Sequence, residues 1–110
     1  MKTSLRNNEQ IVKEGNANLQ MGLETVGGKI FLTNQRLIFE PHKINTQRSM
    51  TEVEINNIQS AIKCWTKFLN FLPLFPNSLE VCTKTKQKFR FVLWDRDAWK
   101  SGIEAKISKF

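Results

Sequence analysis

For most of its length this chain alternates apolar with polar positions, and only near the end does the spacing become helical. "KIFLT" and "RLIFE" are the clearest strands. They are short, aromatic and β-branched, and only Asn34-Gln35 separates them, so they read as a hairpin with Asn34 able to take positive φ. Ile30 and Leu32 share one face and Phe31 the other. On the return strand Leu37 and Phe39 alternate with Ile38. Apolar residues on both faces predict a central pair covered on both sides.

Further strands follow from the same pattern. "NANLQMGL" reads as the first, with "IVKEG" before it as a short helical turn or lead-in and "ETVGG" after it as a loop, since Gly27-Gly28 is a turn signal. "MTEVEI" points Val53 and Ile55 inward between Glu52 and Glu54. Asn56-Asn57 marks a turn, and "IQSAIKC" is the next strand. "SLEVCTK" sets Leu79, Val81 and Thr83 against Glu80, Cys82 and Lys84. A tight turn near Thr85-Lys86 leads to "KFRFVLW", with Phe89, Phe91 and Leu93 inward and Lys88 and Arg90 outward. The count is seven strands. At the end Trp99, Ile103, Ile107 and Phe110 recur at helical spacing after Asp95, which is placed to N-cap, and Asp97 in the first turn. Seven antiparallel strands and one helix predict a mainly β domain, a bent antiparallel sandwich or open barrel capped by the C-terminal helix.

One stretch obeys neither period. "WTKFLNFLPLFPN", residues 65–77, holds Trp65, Phe68, Leu69, Phe71, Leu72, Leu74 and Phe75. As a helix it would gather Trp65, Phe68, Leu69 and Leu72 on one face and end at Pro73. As a strand it is apolar at both parities. Burying each such side chain stabilises by roughly 1.5–3 kcal/mol, so part of the stretch must pack on the domain. Trp65, Phe68, Leu69 and Leu72 are assigned to that part. Phe71, Leu74 and Phe75 are assigned to an outward patch.

Composition narrows the function classes. With 110 residues, 40% hydrophobic and 25% charged, the chain suits one domain with its own core. Residues 1–8 are polar and read as a flexible N-terminus, with the domain spanning 9–110. "MKTSLRNNEQ" has no apolar h-region, and no run approaches the roughly 18 residues of a membrane span, so the expected location is cytoplasmic. Cys64 and Cys82 are distant and read as reduced sheet cysteines. With His42 as the only histidine, a zinc set or hydrolase triad is not supported. Glu52 and Glu54 read as a solvated strand face, and no cofactor is expected. The chain is therefore read as not an enzyme.

The net charge is +7 and uneven. Residues 1–62 carry seven Lys/Arg and six Asp/Glu, and residues 63–110 carry ten and four, balances of +1 and +6. Lys63, Lys67, Lys84, Lys86, Lys88 and Arg90 flank the apolar stretch in sequence, opposed there only by Glu80. Such charge attracts anionic lipid or nucleic acid.

Four segments carry a family resemblance: "GGKIFLTNQRLIFE", "EINNIQSAIK", "FPNSLEVCTKTKQKFRFVL" and "WDRDAW". In this order they resemble the GRAM domain, of the pleckstrin-homology-like superfold, over roughly residues 9–107. The resemblance implies a binding module, since members of the family often sit at membranes or bind phosphoinositides and related domains bind proteins. It matches Arg36 to the family's hairpin arginine, read here as structural. The loop "ETVGG", with only Lys29 after it, lacks the basic signature of phosphoinositide-gripping relatives, which argues against an inositol-phosphate pocket there.

The favoured expectation is a non-enzymatic module in peripheral contact with anionic membrane surfaces. Phe71, Leu74 and Phe75 would enter the head-group zone while Lys63, Lys67, Lys86, Lys88 and Arg90 attract lipid. The alternative is a protein-interaction or homodimerisation module using residues 65–76. Nucleic-acid binding is disfavoured, because Phe89 and Phe91 are needed in the core.

Overall fold

The computed structural model describes all residues except 22–23, 44–49, 69–71 and 110. Of residues 21, 65–68 and 72–77 it describes the backbone alone. Seven antiparallel strands form one sheet: β1 (Ile11–Met21), β2 (Glu24–Thr33), β3 (Arg36–Pro41), β4 (Thr51–Glu54), β5 (Ile58–Phe68), β6 (Leu72–Thr83) and β7 (Lys88–Leu93). A 3-10 turn, Ile55–Asn57, joins β4 to β5, and the helix α1 (Arg96–Ile107) follows β7. The strand order is β4-β3-β2-β1-β7-β6-β5.

This sheet cannot be flat. Phe39 on β3 and Phe91 on β7 are three strands apart, about 14 Å in a flat sheet, yet their ring centroids lie 5.9 Å apart. β1 and β2 therefore carry the bend, and both halves of the sheet face one core. Leu19, Ile30, Leu32, Leu37, Val53, Ile58, Leu79, Val81 and Leu93 fill it. The alternations expected for the strands at 51–55, 79–84 and 88–93 hold, with Val53, Ile55, Leu79, Val81, Phe91 and Leu93 buried.

In the β1–β2 pair "IVKEG" takes the strand-entry alternative rather than the helical turn, and the loop expected at "ETVGG" gives way. "IVKEG" is the first half of β1, and "ETVGG" is the first half of β2, paired from Met21↔Glu24 to Ala17↔Gly28. Gly28 is there for room, not for a turn. A Cβ on it would lie 2.2 Å from the Glu40 carbonyl oxygen and 2.8 Å from Phe39 Cζ. Turn chemistry cannot be told from close strand approach by a glycine pair alone.

The β2–β3 hairpin forms as expected, but Asn34 does not take positive φ. Thr33 shapes the turn instead. Its Oγ1 accepts hydrogen bonds from the backbone N–H groups of Gln35 (3.0 Å) and Arg36 (2.9 Å). Asn34 Oδ1 accepts from the Gln10 N–H at 2.8 Å, tying the turn to the start of β1.

The helix reading of the apolar stretch is overturned for its described parts. Residues up to Phe68 continue β5 and those from Leu72 begin β6, with Thr66↔Phe75 and Phe68↔Leu72 paired. β7 pairs with β6 only from Ser78 to Cys82. Among the described residues the segment 72–77 is thus paired on one side alone, where Pro73 and Pro76 are tolerated because a missing N–H costs no ladder bond. Leu69 and Phe71 lie outside the described residues. So does Phe110, predicted as the last of the helix stripe.

Helix α1 buries Trp99 and Ile103 and half-buries Ile107 against the core, as the spacing predicts. Trp99 lies over Gly15, and the Lys13 ammonium sits 5.3 Å from its ring centroid. Two basic side chains of the helix close the outer edge of β5. Arg96 Nη1 donates to the Cys64 carbonyl and Lys100 Nζ to that of Ala61, both at 2.8 Å. A bare edge would offer these groups to another chain.

Asp95 occupies the N-cap position but does not cap. Its φ of 57° and ψ of 44° are left-handed, and its side chain makes no cap hydrogen bond. The chain reverses there from β7 into the helix, and that reversal sets the conformation.

Replacing Asp95 by Gly relieves this strain and is expected to add about 0.5–1 kcal/mol of stability. Gly28→Ala, forced against the β3 backbone, is expected to cost at least about 2 kcal/mol. Urea unfolding of the two variants beside the parent checks both signs.

Candidate functional site

The charged residues singled out from the sequence separate into two groups. Arg36 belongs to neither, being buried at 4% exposure. Its Nε and Nη2 donate to the two Glu9 carboxylate oxygens at 2.8 and 3.0 Å, Nη2 also donates to the Ser4 carbonyl at 2.9 Å, and Nη1 bonds Glu52. Glu9 also accepts from the Thr33 hydroxyl at 2.7 Å and the Arg6 N–H at 2.8 Å. Hydrogen bonding from Arg36 outweighs burial and holds the Glu9 carboxyl at about 2. Arg36 therefore has no face left for a ligand.

Residues 1–9 run along β3 beside this pair. Glu40 accepts from the backbone N–H groups of Lys2 (3.0 Å) and Thr3 (2.7 Å) and from the Thr3 hydroxyl (2.6 Å). Burial alone would raise its pKa, but these bonds together keep it below the usual value. Arg6 forms a two-bond ion pair with Glu54, at 2.7 and 2.6 Å. Arg36, Ile38 and Glu40 share one face of β3, and Ile38, between the two anchors, is fully buried. Glu52 and Glu54, weighed as a carboxylate pair, are each engaged by an arginine.

The contact residues expected from the sequence, where described, lie on β5, β6 and β7 and in the turn between the last two. Lys63 Nζ bonds Asp97 at 2.8 Å, and Arg90 Nη2 bonds Glu80 at 2.8 Å. Lys86 and Lys88, exposed, lie in and just after the turn joining β6 to β7. Cys82↔Lys88 and Thr66↔Phe75 set them some seven residues, roughly 23 Å, along β6 from Phe75. Leu74 and Phe75 are on β6 and Lys67 on β5, but their side chains lie outside the described residues, as does Phe71 altogether. The strand register thus places Lys63 and Lys67 along the apolar hairpin and Lys86 and Lys88 away from it.

Cys64 and Cys82 are free and half-buried. Their ladder partners, Ser78 and Ser60, put them four positions apart along β5 and β6. Burial pushes the Cys64 thiol pKa up, the opposite of a reactive cysteine. Among the described residues no group of three His, Cys, Asp or Glu could hold a metal ion, and no helix is long and apolar enough to cross a membrane.

Sequence reading missed one surface. Trp94 is 88% exposed, directly after β7 and two residues past Val92, whose partner Ser78 is the last β6 residue that β7 reaches. It stands where the 65–77 hairpin leaves the sheet. Parity could have found it, since Trp94 falls with Lys88 and Arg90 on the outward side.

A family model for the GRAM domain matches residues 1–101. The chain belongs to the GRAM domain family. Its architecture is shared by solved structures at low identity. The C-terminal domain of an unknown protein from Leishmania infantum superposes with a TM-score of 0.75 at 20% identity, over 92% of this chain and 86% of that one. The Vps36 N-terminal PH domain does so at 0.73 and 20%, over 96% and 84%. The DH/PH domains of PDZ-RhoGEF, solved in complex with activated RhoA, give 0.71 at 12%, over 94% of this chain and 31% of that one. No curated protein sequence matches the chain. The pleckstrin-homology-like fold expected from the sequence is thereby shown, and this GRAM domain has the fold of a binding module.

Removing one partner of the buried pair leaves the other charge without compensation. Arg36→Leu is expected to cost about 3–5 kcal/mol, lowering the urea midpoint sharply. Because the Glu9 pKa is depressed in the folded state, its stabilisation is complete above its ordinary value of 4.5 and is lost as pH falls toward about 2. Denaturation followed between pH 6 and 2 should show that loss in the parent, and a smaller one in Glu9→Gln.

Proposed function

We propose that this GRAM domain is a non-enzymatic module that docks on anionic membrane surfaces through the 65–77 hairpin and Trp94. The observation that supports the reading best is Trp94 itself, 88% exposed at the root of an apolar hairpin. An indole has an apolar body and a polar N–H, and it prefers the interface between lipid head groups and water. Phe71, Leu74 and Phe75 would add apolar area beside it, and Lys63 and Lys67 would supply attraction of roughly 1 kcal/mol each. Lys63 now faces Asp97, an exposed pair that an anionic surface can replace at small cost. Lys86, Lys88 and Arg90 are assigned a weaker part, as long-range attraction, because of their distance along β6 and the Glu80 pairing of Arg90.

A protein partner or second copy is the other reading, and one observation favours it. Among the described residues, one side of residues 72–77 of β6 has no strand partner, which invites strand addition. Pro73 and Pro76 weigh against it, since neither can donate to a new ladder.

Flotation with phosphatidylcholine vesicles, with and without phosphatidylserine, at low and high salt, tests the proposal. Binding to the anionic vesicles alone is expected, weakened by salt and roughly tenfold by Trp94→Ser or by Phe71→Ser/Phe75→Ser. Undiminished binding by these variants would remove the hairpin from the interface. Absence of binding together with a dimer in sedimentation would favour the protein reading.

A further inference from the structure

The outward face of β7, β1 and β2 carries a depression of about 270 Å³ lined by Asn16, Ala17, Asn18, Gly28, His42, Val92, Leu93 and Trp94. The register explains its shape. Ala17↔Leu93 and Asn18↔Val92 align β1 with β7, while Asn16↔Lys29 and Asn18↔Gly27 align β1 with β2. Trp94 and Val92 therefore wall one side, the two asparagines form the floor, and Gly27 leaves a gap before His42. A Cβ on Gly27 would stand 3.1 Å from Asn18 Oδ1 and 3.5 Å from His42 Cδ2, so any larger residue would fill that gap.

The chemistry of the lining is specific. It contains no Lys, Arg, Asp or Glu, so nothing in it selects for a strongly charged ligand. Lys29 lies in a neighbouring depression with Glu40, its partner across β2 and β3. Among the described residues the side chains of Asn16, Asn18 and His42 have no hydrogen-bond partner. Each amide offers both donor and acceptor, and imidazole adds one more polar group. Beside them stands a bare indole face. A peptide strand cannot add here, because β1 is already paired on both sides from Ala17 to Gln20. The volume holds one six-membered ring and its substituents.

We propose that this depression binds a neutral polyol ring, a pyranose or a cyclitol, with its C–H face on Trp94 and its hydroxyls on Asn16, Asn18 and His42. Vicinal hydroxyls alternate donor and acceptor as the two amides do. The amphipathic ring matches a site that is apolar on one wall and polar on its floor. The ring could be a free sugar or the head group of a lipid. Asn16, Asn18 and His42 have no part in the membrane proposal, which shares Trp94 alone with this site.

The test is an NMR titration of the ¹⁵N-labelled chain with methyl β-glucopyranoside and with myo-inositol. A second arm uses phosphatidylcholine vesicles with and without phosphatidylinositol. Saturable shifts of the Trp94 indole and the Asn16 and Asn18 side-chain amides are expected, and Asn16→Ala/Asn18→Ala should weaken binding roughly tenfold. Gly27→Val should abolish it while leaving the spectrum dispersed. A response to the soluble rings assigns a free polyol. A response only to the inositol vesicles, lost in the asparagine double variant but kept by Phe71→Ser/Phe75→Ser, assigns a head group. If neither arm moves these signals, or if the shifts survive the asparagine changes, the proposal is overturned. Undiminished binding of phosphatidylserine vesicles by the phenylalanine variant would count against the membrane proposal and leave this one standing.

Discussion

The buried pair between Arg36 and Glu9 is the constraint on which the first half of this fold depends. A guanidinium at the start of β3 is out of water, and only a complete set of acceptors makes that tolerable. Glu9, Glu52 and the Ser4 carbonyl provide it. Three separate parts of the chain are thereby fixed to one side chain: the segment before β1, the β2–β3 turn through Thr33, and β4. The geometry also decides what Arg36 is not. With its donors committed inward, this hairpin arginine in a basic chain has no face left for anion capture.

The same logic explains how a bent sheet keeps its polar edges and apolar faces covered. The hairpin of β2 and β3 is apolar on both sides, so its inner face forms the core and its outer face needs a second cover. Residues 1–9 lie there, anchored at Arg36 and Glu40 on either side of Ile38. At the other edge of the sheet β5 would expose its carbonyls, and Arg96 and Lys100 of the helix bond two of them. Basic residues that composition presents as a solvated or lipid-seeking surface are thus partly committed: Arg36, Arg90, Arg96 and Lys100 all have acceptors within the chain.

Much of the fold was legible because period-2 alternation is a local signal. Val53, Leu79, Val81, Phe91 and Leu93 declared their face, and Trp99 and Ile103 declared the helix. The failures had one cause: the deciding partner was distant in sequence. Gly28 reads as a turn until the backbone of Glu40 is brought against it. Asp95 reads as a cap until the reversal out of β7 imposes its left-handed backbone. The 65–77 stretch fits no single period because it is two strands of one hairpin that extends past the reach of β7. The contact residues were harder still. Lys63 and Lys88 look like neighbours of one apolar patch in sequence, but β6 carries them to different places, and Trp94, the last residue of "KFRFVLW", was not singled out although its parity pointed outward.

What remains outward is informative because so much else is covered. Segment 1–9 shields one side of the first hairpin, and α1 shields the core's open end and an edge. The face of β7, β1 and β2 bearing Trp94, Asn16 and Asn18 receives no such cover from the described residues. None of these three side chains belongs to the core, and Trp94 is 88% exposed. A large aromatic left in water forgoes burial that would be worth roughly 1.5–3 kcal/mol even for a smaller apolar side chain. Leu5, Ile11, Val12 and Ile62 are exposed too, by 39–51%, but none approaches Trp94. Trp94 is for that reason the residue on which both proposals turn.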